Sequence, residues 1–254
     1  MNPATEATIT AKGLRLFVRE QGAGYPLLMI NGIGTGVDWW GRAELMLAAG
    51  SRTIVFNGPG IGRSATPLYP RSLPALAETV VSLLDELGHS RADVLGFSFG
   101  GALAQQLAKD APARVRRLAL VSTICGWGAA PGDLAALVAG YHRPDVANPL
   151  GCAHQLWALA GWSSLPWLDE VRAPTLVLSG LRDRLVPPSN AFQLAGRLPK
   201  SRLHLLPGAG HLHLVEGEGA GTRLLADFFS SASLASSTAW TTGVLTDKLV
   251  EEAA

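Results

Sequence analysis

The chain has 254 residues, 48% hydrophobic and 16% charged, which excludes general disorder and predicts one domain with a substantial core. A formal net charge of +1 gives no electrostatic reason to expect a nucleic acid or an anionic membrane as the main partner. The only two cysteines, Cys125 and Cys152, show no zinc-site spacing with the histidines, so we predict no metal.

Two further features of the whole sequence concern its compartment. No apolar run approaches the roughly 18 residues that a membrane helix needs. Residues 1–6 show no basic region followed by an apolar one, so no secretory signal is visible. We therefore expect a cytoplasmic protein without a membrane span, and nothing in the sequence predicts its oligomeric state.

The first part of the chain alternates between predicted strands and predicted helices. Residues 8–10 and 14–19 predict an edge hairpin. Apolar runs typical of strands buried on both faces lie at residues 27–30, 53–56 and 92–95. Helices are predicted at residues 38–49 and 73–88. Strands that alternate with helices predict a mostly parallel sheet, and therefore an α/β fold.

Two glycine-rich loops follow these strands. Residues 31–36 contain three glycines directly after a core strand, which favours an oxyanion loop with inward-facing N–H groups. Residues 57–64 also contain three glycines, but Pro59 and the lack of a following helix argue against a dinucleotide site. We therefore predict no cofactor.

The segment Gly96-Phe97-Ser98-Phe99-Gly100-Gly101 lies between the strand at 92–95 and a predicted helix at 102–110. This is the context of a nucleophile elbow, in which a strained turn lifts the Ser98 hydroxyl above the sheet edge. Glycines flank the serine because a Cβ there would collide with the neighbouring strand and helix. We expect the N–H groups of Ile33 and Phe99 to bind the oxyanion.

In the second half of the chain, the alternation of predicted strands and helices stops and then resumes. Residues 124–171 lack a strand period and contain four of the seven tryptophans, which predicts an inserted cap. These tryptophans either hold the cap on the core or contact substrate. Further predicted elements are strands at 117–122, 175–179 and 202–206 and helices at 189–198 and from 211 to about 229. Residues 230–254 predict a loosely attached tail with a short helix at 247–252.

A serine nucleophile needs a base and an orienting acid, which in this arrangement follow it in the order acid, then histidine. Asp183 lies just after a predicted strand, at the edge where parallel sheets bind ligands. His211 lies in the loop after the last strand and is our predicted base, with His213 as the alternative. His204 lies within that strand and is expected to be structural.

These motifs together resemble the α/β-hydrolases over residues 10 to 229, and more narrowly the intracellular medium-chain-length polyhydroxyalkanoate depolymerases. The residues that carry the narrower resemblance are Asn31-Gly32-Ile33-Gly34, the stretch 100–106 (GGALAQQ), the stretch 161–164 (GWSS) with Trp167 and Leu168, and the stretch 174–178 (PTLVL). The resemblance implies hydrolysis of poly(3-hydroxyalkanoate) or its oligomers by Ser98, Asp183 and His211 under a lid. It also implies association with polymer granules.

The chain departs from that family in three places. Phe97 and Phe99 flank Ser98, Asn57 replaces an aspartate, and residues 122–175 form a shorter lid than the family carries. A shorter lid opens the site to small esters. The substrate pocket is expected to contain Asn31, Gly32, Phe97, Trp127 and Trp162.

Three alternatives to this prediction stay open. The first is a general short-chain carboxylesterase, and the second is a perhydrolase or C–C bond hydrolase on the same fold. The third is a non-catalytic binding protein that keeps a hydrolase pocket. The complete set of Ser98, Asp183 and His211 argues against the third, because a binder needs no nucleophile and base.

Overall fold

The computed structural model describes residues 3–133, 148–214, 219–230 and 243–245. Nine strands in this part of the chain form one sheet in the order β1-β2-β4-β3-β5-β6-β7-β8-β9. The strands are β1 Thr5–Ala11, β2 Leu14–Gly22, β3 Pro26–Ile30, β4 Arg52–Phe56, β5 Ala92–Phe97, β6 Val115–Val121, β7 Thr175–Gly180, β8 Ser201–Leu206 and β9 Gly243–Leu245. Strand β2 is antiparallel to β1 and β4, and every other pairing is parallel. The predicted α/β fold is therefore confirmed.

Helices cover both faces of the sheet and create two apolar cores. The helices are α1 Gly41–Ala48, α2 Leu73–Glu86, α3 Phe99–Asp110, α4 Pro149–Leu159, α5 Ser189–Arg197 and α6 Ala220–Ser230. All six residues of β5 are buried; Val94 packs in the core beneath α2 and α3, and Leu95 in the core beneath α1 and α6. This burial on both faces explains the continuous apolar runs of the central strands. None of the helices in the described ranges has the length and hydropathy required to cross a membrane.

The helix predicted at residues 38–49 is divided in two. A short 3-10 helix, Val37–Trp40, precedes α1, and Gly41, the first residue of α1, has a φ of 47°. Glycine adopts this left-handed conformation readily, so the chain changes direction there. The change buries Trp40 in the core that contains Phe97.

The insertion between β6 and β7 contains α4 and a 3-10 turn at Leu168–Glu170 within its described part. Trp162 is buried, donates a hydrogen bond from Nε1 to Gln106 Oε1 at 2.7 Å, and packs edge-on against Trp167. These two tryptophans therefore attach the insertion to α3 and the core, which was one of the two roles considered for them.

Part of the segment predicted to be a loose tail belongs to the sheet. Gly243–Leu245 pairs in parallel with Arg202, Leu203 and His204 of β8 and forms the edge strand β9. The sequence pattern did not predict this pairing, and the loose attachment of the tail as a whole stays a prediction. The helix predicted at 247–252 lies outside the described residues.

Candidate active site

Three loops at one edge of the sheet bring the predicted triad together. Ser98 follows β5, Asp183 follows β7 and His211 follows β8. Strands β5 to β8 are parallel neighbours, so their carboxyl ends lie on the same side of the sheet. This juxtaposition joins residues up to 113 positions apart in the sequence.

Ser98 occupies a strained turn with a φ of 53° and a ψ of −118°. Two glycines permit this geometry. A Cβ on Gly96 would lie 2.4 Å from the Gly100 carbonyl oxygen, and a Cβ on Gly100 would lie 2.1 Å from the Ile30 carbonyl oxygen. The Thr123 hydroxyl donates to the Ser98 carbonyl oxygen at 2.6 Å and helps to hold the turn.

His211 links the serine to the acid. Its Nδ1 lies 2.8 Å from Asp183 Oδ2, and its Nε2 lies 3.3 Å from Ser98 Oγ. The other oxygen of the buried Asp183 accepts the backbone N–H groups of Leu185 and Val186 at 3.0 and 2.8 Å. An ionised carboxylate only accepts hydrogen bonds, so the histidine proton lies on Nδ1 and Nε2 can accept the Ser98 proton. The arrangement is suited to general-base activation of the hydroxyl.

Two N–H groups of the loop after β3 are engaged within the protein. The Gly34 N–H donates to Gln155 Oε1 at 2.8 Å, and the Thr35 N–H donates to the Gly32 carbonyl oxygen at 3.3 Å. With both groups engaged, Ile33 remains the predicted donor of this loop. Phe99 supplies the first N–H of α3, at the positive end of the helix.

Asn31 anchors this loop through its side chain. Its Nδ2 donates to the carbonyl oxygens of Phe56 at 2.9 Å and Thr35 at 3.3 Å, and its Oδ1 accepts the Trp40 indole N–H. Both the nitrogen and the oxygen of the Asn31 amide are therefore hydrogen-bonded to other groups of the protein. Asn31 positions the oxyanion loop and also lies on the wall of the neighbouring pocket.

The other two candidate histidines are buried away from Ser98 Oγ. His204 lies inside β8, as predicted. His213 lies in a turn and not at a helix start, is 7% exposed, and its Nε2 is 3.5 Å from Ser122 Oγ. Burial, with a smaller contribution from His211, lowers the pKa of His213 to about 4, against a smaller opposing effect of Asp183.

His213 should make the protein less stable in weak acid. The folded state keeps this imidazole neutral down to pH about 4, whereas the unfolded chain protonates it at about 6.5. Its contribution to the free energy of unfolding, at most about 3 kcal/mol, is complete above pH 6.5 and is lost as the pH falls towards 4. Urea unfolding should show that the free energy of unfolding decreases less between pH 7 and pH 4.5 for His213→Gln than for the wild type. Equal losses would contradict a neutral buried His213.

A narrow, largely apolar pocket adjoins the oxyanion loop and is partly open to solvent. It lies between α2, α3 and α4, and the Phe99 side chain forms part of its wall. The other described residues on its wall are Ile30, Asn31, Phe56, Gly58, Pro59, Pro67, Arg71, Leu76, Thr79, Val80, Leu103, His154 and Gln155. Phe99, one of the two predicted oxyanion donors, lies on this wall, whereas Ile33, Ser98 and His211 do not.

Four of the five predicted pocket residues lie elsewhere than on this wall. Phe97 is buried below the triad, where it stacks on Trp39 with its ring centroid 5.1 Å from that of His211. Gly32 makes room for it, since a Cβ there would lie 3.1 Å from the Phe97 ring. Trp127 is 81% exposed, and Trp162 is hydrogen-bonded to Gln106 of α3. Only Asn31 lies on the wall.

Several residues near the site carried no signal in the sequence. Thr123 and Gln155 contact the nucleophile turn and the oxyanion loop from 25 and 121 positions away. No motif marks either of them, because their roles depend on tertiary neighbours. Among the described residues, no group of three or more histidine, cysteine, aspartate and glutamate side chains could hold a metal ion.

Comparisons with known proteins show similarity to one fold family. Residues 25–142 match the family model described as the alpha/beta hydrolase fold. The chain is 34% identical to a poly(3-hydroxyalkanoate) depolymerase of Ectopseudomonas oleovorans, over 75% of this chain and 79% of that protein. It is 28% identical to the 2-hydroxymuconate semialdehyde hydrolase of Pseudomonas sp. (strain CF600), over 92% of this chain and 97% of that protein.

A solved structure extends the comparison to three dimensions. A hydrolase from Pseudomonas aeruginosa PA01 superimposes with a TM-score of 0.80 at 27% identity, over 89% of this chain and 98% of that one. The agreement covers nearly the whole of that structure.

Proposed function

This chain belongs to the α/β-hydrolase family, and on that premise we propose that it is a serine hydrolase that cleaves carboxylic esters. One observation carries the proposal: Ser98 Oγ, His211 and Asp183 form a continuous relay with separations of 3.3 and 2.8 Å. The same relay argues against a protein that only binds ligands. Purified protein should react once, at Ser98, with a serine-directed phosphonate, which mass spectrometry would detect.

The reaction follows from the positions of these groups. Ser98 Oγ attacks the ester carbonyl carbon while His211 Nε2 takes the hydroxyl proton, and Asp183 stabilises the resulting imidazolium. The carbonyl oxygen becomes an oxyanion that accepts the N–H groups of Ile33 and Phe99. The leaving alkoxide takes the proton from His211 and departs as an alcohol. Water then attacks the acyl-enzyme by the same route and releases the acid and Ser98.

For the substrate we propose a poly(3-hydroxyalkanoate) or its oligomers. The 34% identity to a poly(3-hydroxyalkanoate) depolymerase supports this, as does the apolar pocket that has Phe99 on its wall. Association with polymer granules belongs to the same proposal. The exposed side chains of Leu68 and Tyr69, next to Pro67 on the pocket wall, support it because they offer apolar surface for a polymer.

A second candidate is C–C bond hydrolysis. The similarity to a 2-hydroxymuconate semialdehyde hydrolase covers almost all of both chains and favours it, although the identity is lower, at 28%. General short-chain ester hydrolysis and perhydrolysis use the same serine relay. A substrate panel of p-nitrophenyl esters, a 3-hydroxyalkanoate polymer latex and a ring-cleavage dienoate would separate these activities.

Ester hydrolysis should become more efficient as the acyl chain lengthens, up to an optimum at roughly six to eight carbons. Each methylene buried in the apolar pocket contributes about 0.8 kcal/mol, close to a fourfold gain in kcat/KM. The measurement is kcat/KM for p-nitrophenyl esters from acetate to dodecanoate. A profile that peaks at acetate and falls steadily would contradict the depolymerase-like substrate and leave the short-chain esterase.

A matched pair of variants tests whether this pocket sets the optimum. Leu103 lies on the pocket wall, whereas Leu107 lies one turn further along α3 and does not. Leu103→Phe should shift the normalised chain-length profile towards shorter acyl chains. Leu107→Phe adds the same ring to the same helix and should leave the shape of the profile unchanged.

A further inference from the structure

Gln155 connects the cap to the oxyanion loop. It lies on α4, is 6% exposed, and its Oε1 accepts the Gly34 backbone N–H at 2.8 Å. The two residues are 121 positions apart. This bond is buried, so loss of the Gln155 side chain would leave the Gly34 N–H without its acceptor.

The accepted N–H belongs to the central peptide group of a β-turn. Residues 32–35 form a β-turn, closed by the bond from the Thr35 N–H to the Gly32 carbonyl oxygen. Gly34 is its third residue and has a φ of 69°, as in a type II turn. Type I and type II turns differ in the orientation of the central peptide, here the one between Ile33 and Gly34. Gln155 holds this peptide in one of the two orientations.

That orientation matters for the predicted oxyanion donor. Turning the central peptide from type II to type I changes the ψ of its second residue from about +120° to about −30°. In this loop the second residue is Ile33, so its carbonyl dipole would rotate relative to its own N–H. The field at the oxyanion position would change, although Ser98 and His211 stay where they are.

Close contacts near the start of helix α4 fix the position from which the Gln155 side chain reaches Gly34. Asn148, before the helix, donates to Thr66 Oγ1 at 3.1 Å and accepts the Leu150 N–H with its Oδ1. One turn before Gln155, Gly151 meets Gly60 so closely that a Cβ on Gly151 would lie 2.2 Å from the Gly60 carbonyl oxygen. The helix is thus fixed against the loop that follows β4.

We infer that Gln155 is a positioning residue that couples the seating of cap helix α4 to the conformation of the oxyanion loop. The inference rests on the proposed hydrolase function and adds a regulator of its oxyanion site. Displacement of α4 removes the acceptor of the Gly34 N–H, and the oxyanion loop then loses its fixed orientation. Catalytic competence therefore depends on a seated cap, although the cap supplies no member of the triad.

Three variants separate positioning from simple attachment of the cap. Gln155→Met keeps a similar length and removes the acceptor, so kcat for a p-nitrophenyl ester should fall by about 10-fold or more with little change in KM. Gln155→Glu keeps an acceptor oxygen and should retain kcat within about threefold. Asn148→Ala loosens the start of α4 without removing the acceptor, so it should lower the melting temperature and should lower kcat less than Gln155→Met does. No loss of kcat in Gln155→Met, or a loss in Asn148→Ala as large as that in Gln155→Met, would overturn the inference.

A second measurement does not depend on hydrolysis. Amide hydrogen exchange followed by NMR should show the Gly34 N–H protected in the wild type and in Gln155→Glu, and exchanging at least about 10-fold faster in Gln155→Met. Equal Gly34 exchange in all three proteins would overturn the inference whatever the enzyme's substrate. Failure of wild-type Ser98 to react with a phosphonate would instead contradict the proposed function, so the two failures are distinguishable.

Discussion

Ser98→Ala is expected to lower kcat for ester hydrolysis by at least about 10⁴-fold, because no other group can form the acyl-enzyme. The replacement keeps the Cβ and therefore the steric demands of the turn, in which the φ of Ser98 is 53°. It removes only the hydroxyl 3.3 Å from His211 Nε2. The measurement is kcat and KM for a medium-chain p-nitrophenyl ester, with circular dichroism and the melting temperature as evidence that the fold is kept.

The phosphonate experiment provides the control for that result. Wild-type protein should gain one adduct per chain and Ser98→Ala should gain none. Near-wild-type turnover by a folded Ser98→Ala protein would end the triad hypothesis. Labelling of the variant would show that the reactive serine lies elsewhere in the chain.

The second large effect is expected from the base. His211→Gln should reduce kcat by at least about 10³-fold, because a carboxamide cannot take the Ser98 proton at neutral pH. His213→Gln is the matched control: it is the same substitution two residues away, on a histidine that faces Ser122 and not Ser98. It should keep kcat within about threefold of wild type, since it alters no group of the relay.

The comparison between these two variants also tests the geometry of the loop after β8. Loss of activity in His213→Gln with activity retained in His211→Gln would reverse the assignment of the base. Because His213 is buried, each variant is first compared with wild type by urea unfolding at pH 7. Activities are then compared only at urea concentrations where both proteins are folded.

Local patterns were sufficient to predict most of the strands and helices and the three residues of the relay. The apolar runs at β3, β4 and β5 predict central strands because parallel strands are buried on both faces. The spacing of Gly96, Ser98 and Gly100 predicts the elbow because only glycine fits where the turn meets β3. Asp183 and His211 were chosen because each follows a strand at the edge where parallel sheets bind ligands.

The sequence patterns were less informative wherever a residue's role depends on distant neighbours. Phe97 was expected in the pocket, but it alternates to the opposite side of β5 from Val94 and packs on Trp39. For Trp127 and Trp162 the sequence left open contact with substrate or attachment of the cap, because composition does not indicate which way a ring in an irregular segment faces. The three-residue strand β9 was missed because its pairing with β8 is an edge contact with no periodicity long enough to detect.

The sequence by itself determined the fold class, the nucleophile turn and the order of nucleophile, acid and base along the chain. Each of these follows from short-range sterics or from strand and helix periodicity, which are encoded within a few neighbouring residues. Only the tertiary structure decided that Asn31 and Gln155 hold the oxyanion loop, and that the apolar pocket lies between α2, α3 and α4. Those features arise from side chains more than 20 positions apart, and their contacts exist only after the sheet and the cap have packed.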